Sequence, residues 1–465
     1  MSNIPSPRRS AFVLFPAAAM LLGWGLRGYI GGGPFGAMIP GCYVALCLSL
    51  LLGHSMETAA RVALFGAIGI GFGGDMTYGQ TLGFLREADT VYWGLIGVTV
   101  KGGIWGLFGG AMLGIALVRP QYDRKALLIA FGLAVLAFYA GVKLVNEPKL
   151  IYFSNRLDRP REECWAGLLF AAIALLGYLR ARDSGGRGPL PLRFALWGLL
   201  GGAAGFGGGA LWMVAGPHLP VDQKWFGWWK MMEFSFGFVF GAALGYCAYR
   251  NRNLLTGSRE APPPKESSIA PNAGMVVLGA ALFYAIPLLA STPGGEQSDT
   301  AVTTAAAFFL APLSRFIVFG MLVIAVAMRS VSAAWQAAIT LTFFHAMYDL
   351  NDDMLSHNGF EISQAVLMPL PAAATIAVAA SVSILHRGER PIPRLFLLVV
   401  WACYAVACAK TFLIRDYFVA GPGGRGSFAF MFNDHPSIIG VHLIFTLSAI
   451  VTMAYIAGIS GTRKT

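Results

Sequence analysis

The chain reads as an all-α, polytopic membrane protein with about 14 transmembrane helices. Of its 465 residues 56% are hydrophobic and only 12% charged, whereas about a quarter of a soluble domain is charged. Apolar runs long enough to span a bilayer recur from end to end. The basic residues gather in the short loops between those runs, which is the positive-inside pattern. A transmembrane barrel would instead show short segments of alternating polarity. The net charge of +11 therefore belongs to membrane topology, and no nucleic-acid partner is expected.

The predicted spans are 11–30, 36–53, 61–84, 91–118, 126–145, 163–181, 192–216, 226–249, 273–292, 303–328, 331–350, 363–386, 394–413 and 437–460. The first follows Arg8 and Arg9 as a secretory signal would, but Gly23-Trp-Gly-Leu-Arg27 replaces a small-residue cleavage site, so a retained helix is expected. Arg119/Arg124/Lys125, Arg180/Arg182/Arg187, Arg250/Arg252, Arg329 and Arg387/Arg390 all fall on one side of this arrangement. That side is the cytoplasm by the charge rule, and both termini lie on it. Segment 146–162, with Lys149, Arg156, Arg159 and Arg161, falls on the outer side and resists the rule. The polar, proline-rich stretch 251–272 reads as a cytoplasmic linker between an N-terminal bundle, 1–250, and a C-terminal bundle, 273–465. The six cysteines have no Cys-x-x-Cys spacing and nearly all fall in spans, so free buried thiols are expected.

A glycine-rich phrase recurs three times, each copy beside a basic residue: Arg27 with Gly28–Gly41, Lys101 with Gly102–Gly114, and Lys230 with Gly237–Gly245. Glycine lets helices touch backbone to backbone in lipid. The stretch from Ala63 through Gly71-Phe-Gly-Gly74 to Gly114 also parallels that from Ala195 through Gly205-Phe-Gly-Gly208 to Gly245, which predicts a duplicated helical hairpin. Transporters are often built from such repeats around a central site.

Each basic residue beside a glycine seam costs about 2.5–3.5 kcal/mol if it lies near the bilayer centre. Cations kept at that cost need a polar partner or a polar task. The candidate binding residues are Arg27, Asp75, Gln80, Lys101, Trp105, Lys230 and Glu233, all toward the outer half of the N-terminal bundle. Asp75 and Lys101 stand at similar depths on consecutive spans and could pair; Lys230 and Glu233, three residues apart, share a helix face. Buried ion pairs that set helix register are the competing reading. Trp and Tyr also crowd this level, as they do at membrane interfaces. Tyr78 and Trp105 lie deeper, beside the charges.

A second constellation is His345, Asp349 and Asp353, spaced four residues apart on one helical stripe. Imidazole and carboxylate at this spacing can ligate a divalent metal or form an acid–base pair. An acidic, solvated helix end is the plainer alternative. His442, Asp434 and His435 fall near the same side. Arg315, after Pro312, suggests an unwound helix lining a cavity, and Lys410 is expected to snorkel to the headgroups. No Gly-Lys-Ser/Thr phosphate loop and no haem or iron–sulfur spacing is present, so an ATP-driven pump is excluded within this chain.

The phrase Gly23-Trp-Gly-Leu-Arg-Gly28 with Gly36-Ala-Met-Ile-Pro-Gly41 resembles one shared by uncharacterised multi-pass proteins of bacterial inner membranes. The resemblance implies that location and no activity. The leading expectation is a secondary active transporter of a small polar or anionic solute, sugar-like or an organic acid, proton-coupled through Asp75 or Glu233. The alternatives are a membrane-embedded hydrolase or group transferase built on His345, Asp349 and Asp353, and an accessory or scaffold subunit of a membrane complex. No cofactor is expected; a divalent metal enters only with the enzyme alternative. The expected partners are the lipid bilayer and a small-molecule substrate, with self-association left open.

Overall fold

The computed structural model describes residues 7–76, 78–118, 122–154, 162–183, 189–255, 274, 312–357, 369–414 and 436–461. The described residues are helices, turns and loops, without a strand. The N-terminal helices are α1 (Arg9–Ile30), α2 (Gly33–Leu52), α3 (Met56–Gly71), the short α4 (Gly79–Gly83), α5 (Val91–Leu117), α6 (Arg124–Gly141), α7 (Trp165–Ala181), α8 (Pro189–Ala215) and α9 (Trp228–Leu255). The C-terminal ones are α10 (Pro312–Ala327), α11 (Val331–Trp335), α12 (Leu341–His357), α13 (Pro369–Leu385), α14 (Pro391–Ile414) and α15 (Pro436–Gly461). Among the described residues eight helices are long and apolar enough to cross a membrane, or nine if the bent pair α3–α4 is one span. This is the make-up of a multi-pass membrane protein.

Two predicted boundaries move. The span expected at 61–84 breaks: α3 tightens into a turn of 3-10 helix at Phe72–Asp75, and the chain bends by 57° before it resumes at Gly79. The stretch 251–255, expected in the linker, is the last turn of α9. There Asn251 accepts a hydrogen bond from Arg193 and donates to the Cys247 carbonyl, which carries the helix past its apolar part. The rest of the linker and the span predicted at 273–292 lie outside the described residues, apart from Gly274.

Six helices form a closed ring in the order α1, α2, α3, α5, α8, α9, each packing on two neighbours. Along the chain they are three hairpins: α1–α2, α3–α5 and α8–α9. The glycine phrases sit at the seams between hairpins. On α2 a Cβ added at Gly41 would stand 2.2 Å from the Gly66 carbonyl of α3. On α5 one at Gly106 would stand 1.8 Å from the Gly198 carbonyl of α8. On α9 one at Gly241 would stand 2.4 Å from the Pro16 carbonyl of α1. Any side chain would force these backbones apart, so the absence of one sets the ring's diameter.

Aromatic rings fill the centre. Trp24 of α1 meets Trp105 of α5 at 4.9 Å and Phe236 of α9 at 4.2 Å, and Phe206 of α8 stacks on Phe236 at 4.7 Å. The interior of the ring is thus a packed core at this level. Outside it α6 and α7 pair with each other and α7 leans on α5, while α10, α11, α12, α14 and α15 pack along the α1–α2–α3 side and α13 packs on α12 and α14. Five cysteines are buried and Cys408 half-buried, all unbridged.

Candidate functional site

The three hairpin tips meet on one end of the ring. The first tip is the turn Gly31–Gly33, where Gly32 and Gly33 take φ of +82° and +61°. Only glycine adopts that backbone without strain, and Pro34 then starts α2. The second tip is the broken segment after Asp75, carrying Tyr78. The third is the α8–α9 connection, from which α9 begins with Trp228-Trp229-Lys230.

All three tips contribute to a single hydrogen-bonded cluster. Arg27, in the last turn of α1, donates through Nη1 to the Tyr78 hydroxyl. That hydroxyl donates to Glu233 Oε1 at 3.2 Å. Trp229 Nε1 donates to the same oxygen at 3.0 Å, and Lys230 Nζ to Oε2 at 2.6 Å. The Arg27 guanidinium lies over three aromatic faces, Trp24 at 5.6 Å and Tyr78 and Trp105 both at 5.0 Å. The central aromatic plug is therefore also the floor beneath the cation. Trp105 is held there because its indole N–H donates to the Ile70 carbonyl at 2.7 Å, in the last turn of α3. The cluster holds two cations and one carboxylate, a net charge of +1 from these three groups. It is graded from a half-buried rim, Tyr78, Trp229 and Lys230, to a buried floor, Arg27 and Glu233.

Four of the residues singled out from sequence, Arg27, Trp105, Lys230 and Glu233, meet here. Lys101 sits in a different cluster. Its ammonium contacts Glu163 at 2.7 Å and Thr81 at 2.8 Å. Glu163 also accepts from Ser154 at 2.9 Å and from the Phe153 amide at 3.1 Å. The Lys101 and Glu163 side chains are each 1% exposed. Asp75 is buried at the break after α3, within electrostatic reach of Cys164, and Gln80 is half-buried on α4.

The C-terminal helices reach the same end through the first tip. Two carboxylates lie flush on the α1 backbone, three residues apart. A Cβ at Gly28 would stand 2.1 Å from Glu233 Oε1, and one at Gly31 would stand 1.6 Å from Asp349 Oδ2. Asp349 Oδ2 is 2.9 Å from His345 Nε2, and the imidazole packs on Phe35 at 4.7 Å. The side chain of Asp353 lies outside the described residues, as do that of Arg315 and all of Asp434 and His435. Among the described residues no three His, Cys, Asp or Glu side chains gather as a metal site would require.

His442 lies elsewhere than expected. It shares a 2.8 Å hydrogen bond with Thr411, whose hydroxyl is also 2.5 Å from that of Tyr29. The ring of Tyr29 lies 5.7 Å beneath the Lys230 ammonium, so this chain of contacts runs from the cluster into α14 and α15. Lys410 turns inward and donates to the Ile30 carbonyl, so it caps α1 rather than snorkelling. A helix C-terminus with unsatisfied carbonyls favours a cation there. Pro312 stands at the start of α10, so the described part of that span is unbroken where an unwound segment was expected.

The sequence pointed to the charges and missed the residue that joins them. Tyr78 stood out only as an aromatic beside charge. The usable signal was that each of three tips carried one polar group able to span the ring. The aromatics that crowd this level divide accordingly: Trp24 and Tyr29 are core, as is the deeper Trp105, whereas Tyr92, Trp212 and Trp225 are exposed. The chain matches no protein-family model and no curated protein.

Proposed function

We propose that the protein is a secondary active transporter of a small organic anion or similarly polar solute, working with proton coupling in a bacterial inner membrane. The observation that carries this reading is the Arg27–Tyr78–Glu233–Lys230 cluster, assembled from three hairpins with one residue network shared among them. In this reading the chain crosses the membrane about 14 times, both termini are cytoplasmic, and the hairpin tips face outward. The hairpins α3–α5 and α8–α9 are copies of one unit, and the glycine seams let the hairpins slide against each other.

Glu233 acts as the resident counter-ion. An incoming anion takes its donors, Lys230 and Tyr78, and settles against the guanidinium of Arg27. The carboxylate it displaces is buried, and an unpaired buried charge costs several kcal/mol, roughly, more than a neutral carboxyl. Glu233 therefore takes a proton from the outer solution as the anion binds, and the two cross together. Release on the inner side reverses the exchange: the proton leaves and Glu233 recovers Lys230 and Tyr78. Trp24 and Trp105 support the cation face-on and keep water out of the passage beneath. Lys101–Glu163 takes no part and holds α5 to the start of α7.

The test is a proteoliposome loaded with a pH-sensitive dye and offered a panel of small organic acids, phosphate esters and monosaccharides. At least one solute acidifies the lumen with wild type, and none does so with Glu233→Gln. A panel without any moving solute, or proton flux unchanged in both Glu233→Gln and Arg27→Gln, would overturn the proposal.

A further inference from the structure

At the end of the ring opposite the hairpin tips lies a cavity of about 240 Å³ that the transport proposal does not use. It opens between the start of α3, the end of α5, the start of α6 and the α10–α11 turn. Its walls carry three arginines, Arg61, Arg124 and Arg329, with Tyr122 and Ser330, against one acid, Glu57. Formal charge in the lining is thus net positive by two.

The parts are held in place from several elements. Arg61 Nε donates to the Ala116 carbonyl at 3.3 Å, which fixes the guanidinium at the carboxyl end of α5. Ser330 caps α11 by accepting from the Ala333 amide at 3.2 Å, which holds the turn bearing Arg329. Tyr122 is 6% exposed, and its hydroxyl has no hydrogen-bond partner among the described residues. Arg180 and Asp183, an ion pair at 3.6 Å, face it from the end of α7. Burial and Asp183 push the Tyr122 hydroxyl up to about 12, so it remains a proton donor near neutral pH. A planar guanidinium fork is the side chain best matched to phosphate oxygens, and the hydroxyl adds a directed donor.

Tyr122 also lines a second hollow, whose other walls are Leu176, Gly177, Leu179, Arg180, Pro191 and Leu192. Tyr122 therefore stands between the basic cavity and a mainly apolar groove on the flank of the bundle. Basic pockets between helices on the cytoplasmic side suit anionic lipid headgroups, and the groove would take an acyl chain.

We infer that this cavity is a binding site for a phosphate group, held by Arg61, Arg329 and the Tyr122 hydroxyl. The group comes either from an anionic phospholipid of the inner leaflet or from a soluble phosphate ester.

Native mass spectrometry of the whole protein, released from nanodiscs of mixed phosphatidylglycerol and phosphatidylcholine, reads the first source. Thermal shift in detergent with glycerol 3-phosphate or inorganic phosphate reads the second. Wild type retains phosphatidylglycerol over phosphatidylcholine or is stabilised by a phosphate compound. Arg61→Gln and Arg329→Gln each weaken that binding about tenfold, and Tyr122→Phe weakens it less. Lipid retention with no response to soluble phosphate assigns the headgroup; the converse assigns the ester. Equal retention of both lipids together with no phosphate shift overturns the site. So does binding that Arg329→Gln, an exposed position safe for folding, leaves unchanged.

Discussion

Two lysine–glutamate pairs each involve a helix of the ring, and they are built to different ends. Lys101 and Glu163 are both 1% exposed; each Glu163 oxygen has a donor, and the ammonium has Thr81 besides. The pair joins α5 to the start of α7. Lys230 and Glu233 are as close, 2.6 Å, but the lysine is 16% exposed and stands at the rim. Glu233 shares its remaining oxygen between Tyr78 and Trp229, and beyond Tyr78 waits a second cation. A pair closed on itself sets register. A pair with a second cation nearby and a partly exposed edge can exchange partners.

Breaking the closed pair gives the largest effect. Lys101→Met leaves Glu163 charged and dry, and unfolding in detergent should show a loss of about 3–5 kcal/mol. The double variant Lys101→Met/Glu163→Gln should recover most of it, since the stranded charge is gone while an acceptor for the Phe153 amide remains. A double variant as unstable as the single one would mean that the pair does more than neutralise itself.

Arg27→Lys should come next. Lysine keeps the charge but loses the flat face that lies over Trp24, Trp105 and Tyr78. Stability should fall by about 1–2 kcal/mol and solute-driven proton flux should be lost. Full flux with lysine would show that charge alone suffices at this position. Glu233→Gln should be milder for the fold, about 1 kcal/mol in the same unfolding experiment, because Lys230 is partly exposed. Gly28→Ala acts through the same carboxylate: its methyl would stand 2.1 Å from Glu233 Oε1 and push that group off its donors, so stability should fall at least as far as in Glu233→Gln and solute affinity should fall with it.

The sequence revealed which groups were costly and where the helices could touch, because both follow from composition along one helix. Arg27, Lys230 and Glu233 were legible as candidates and stand in one cluster, and the glycine seams appear where the phrases recur. The partner of Lys101 was not legible. Glu163 stands beside the segment that resisted the charge rule, and only the packing of α7 on α5 brings it to Lys101. Nor could spacing show that Gly31 would receive Asp349 from a helix more than three hundred residues away. Such meetings are set by how hairpins pack, and one helix's periodicity does not record them.

The exchange at Glu233 can be read directly as proton uptake by the purified protein in weakly buffered detergent solution, on addition of an anion found by the vesicle panel. Wild type and Lys101→Met/Glu163→Gln should both turn the solution alkaline as the anion binds, and Glu233→Gln should bind without doing so. Equal alkalinisation by Glu233→Gln would contradict the assignment of that carboxylate as the proton-linked group.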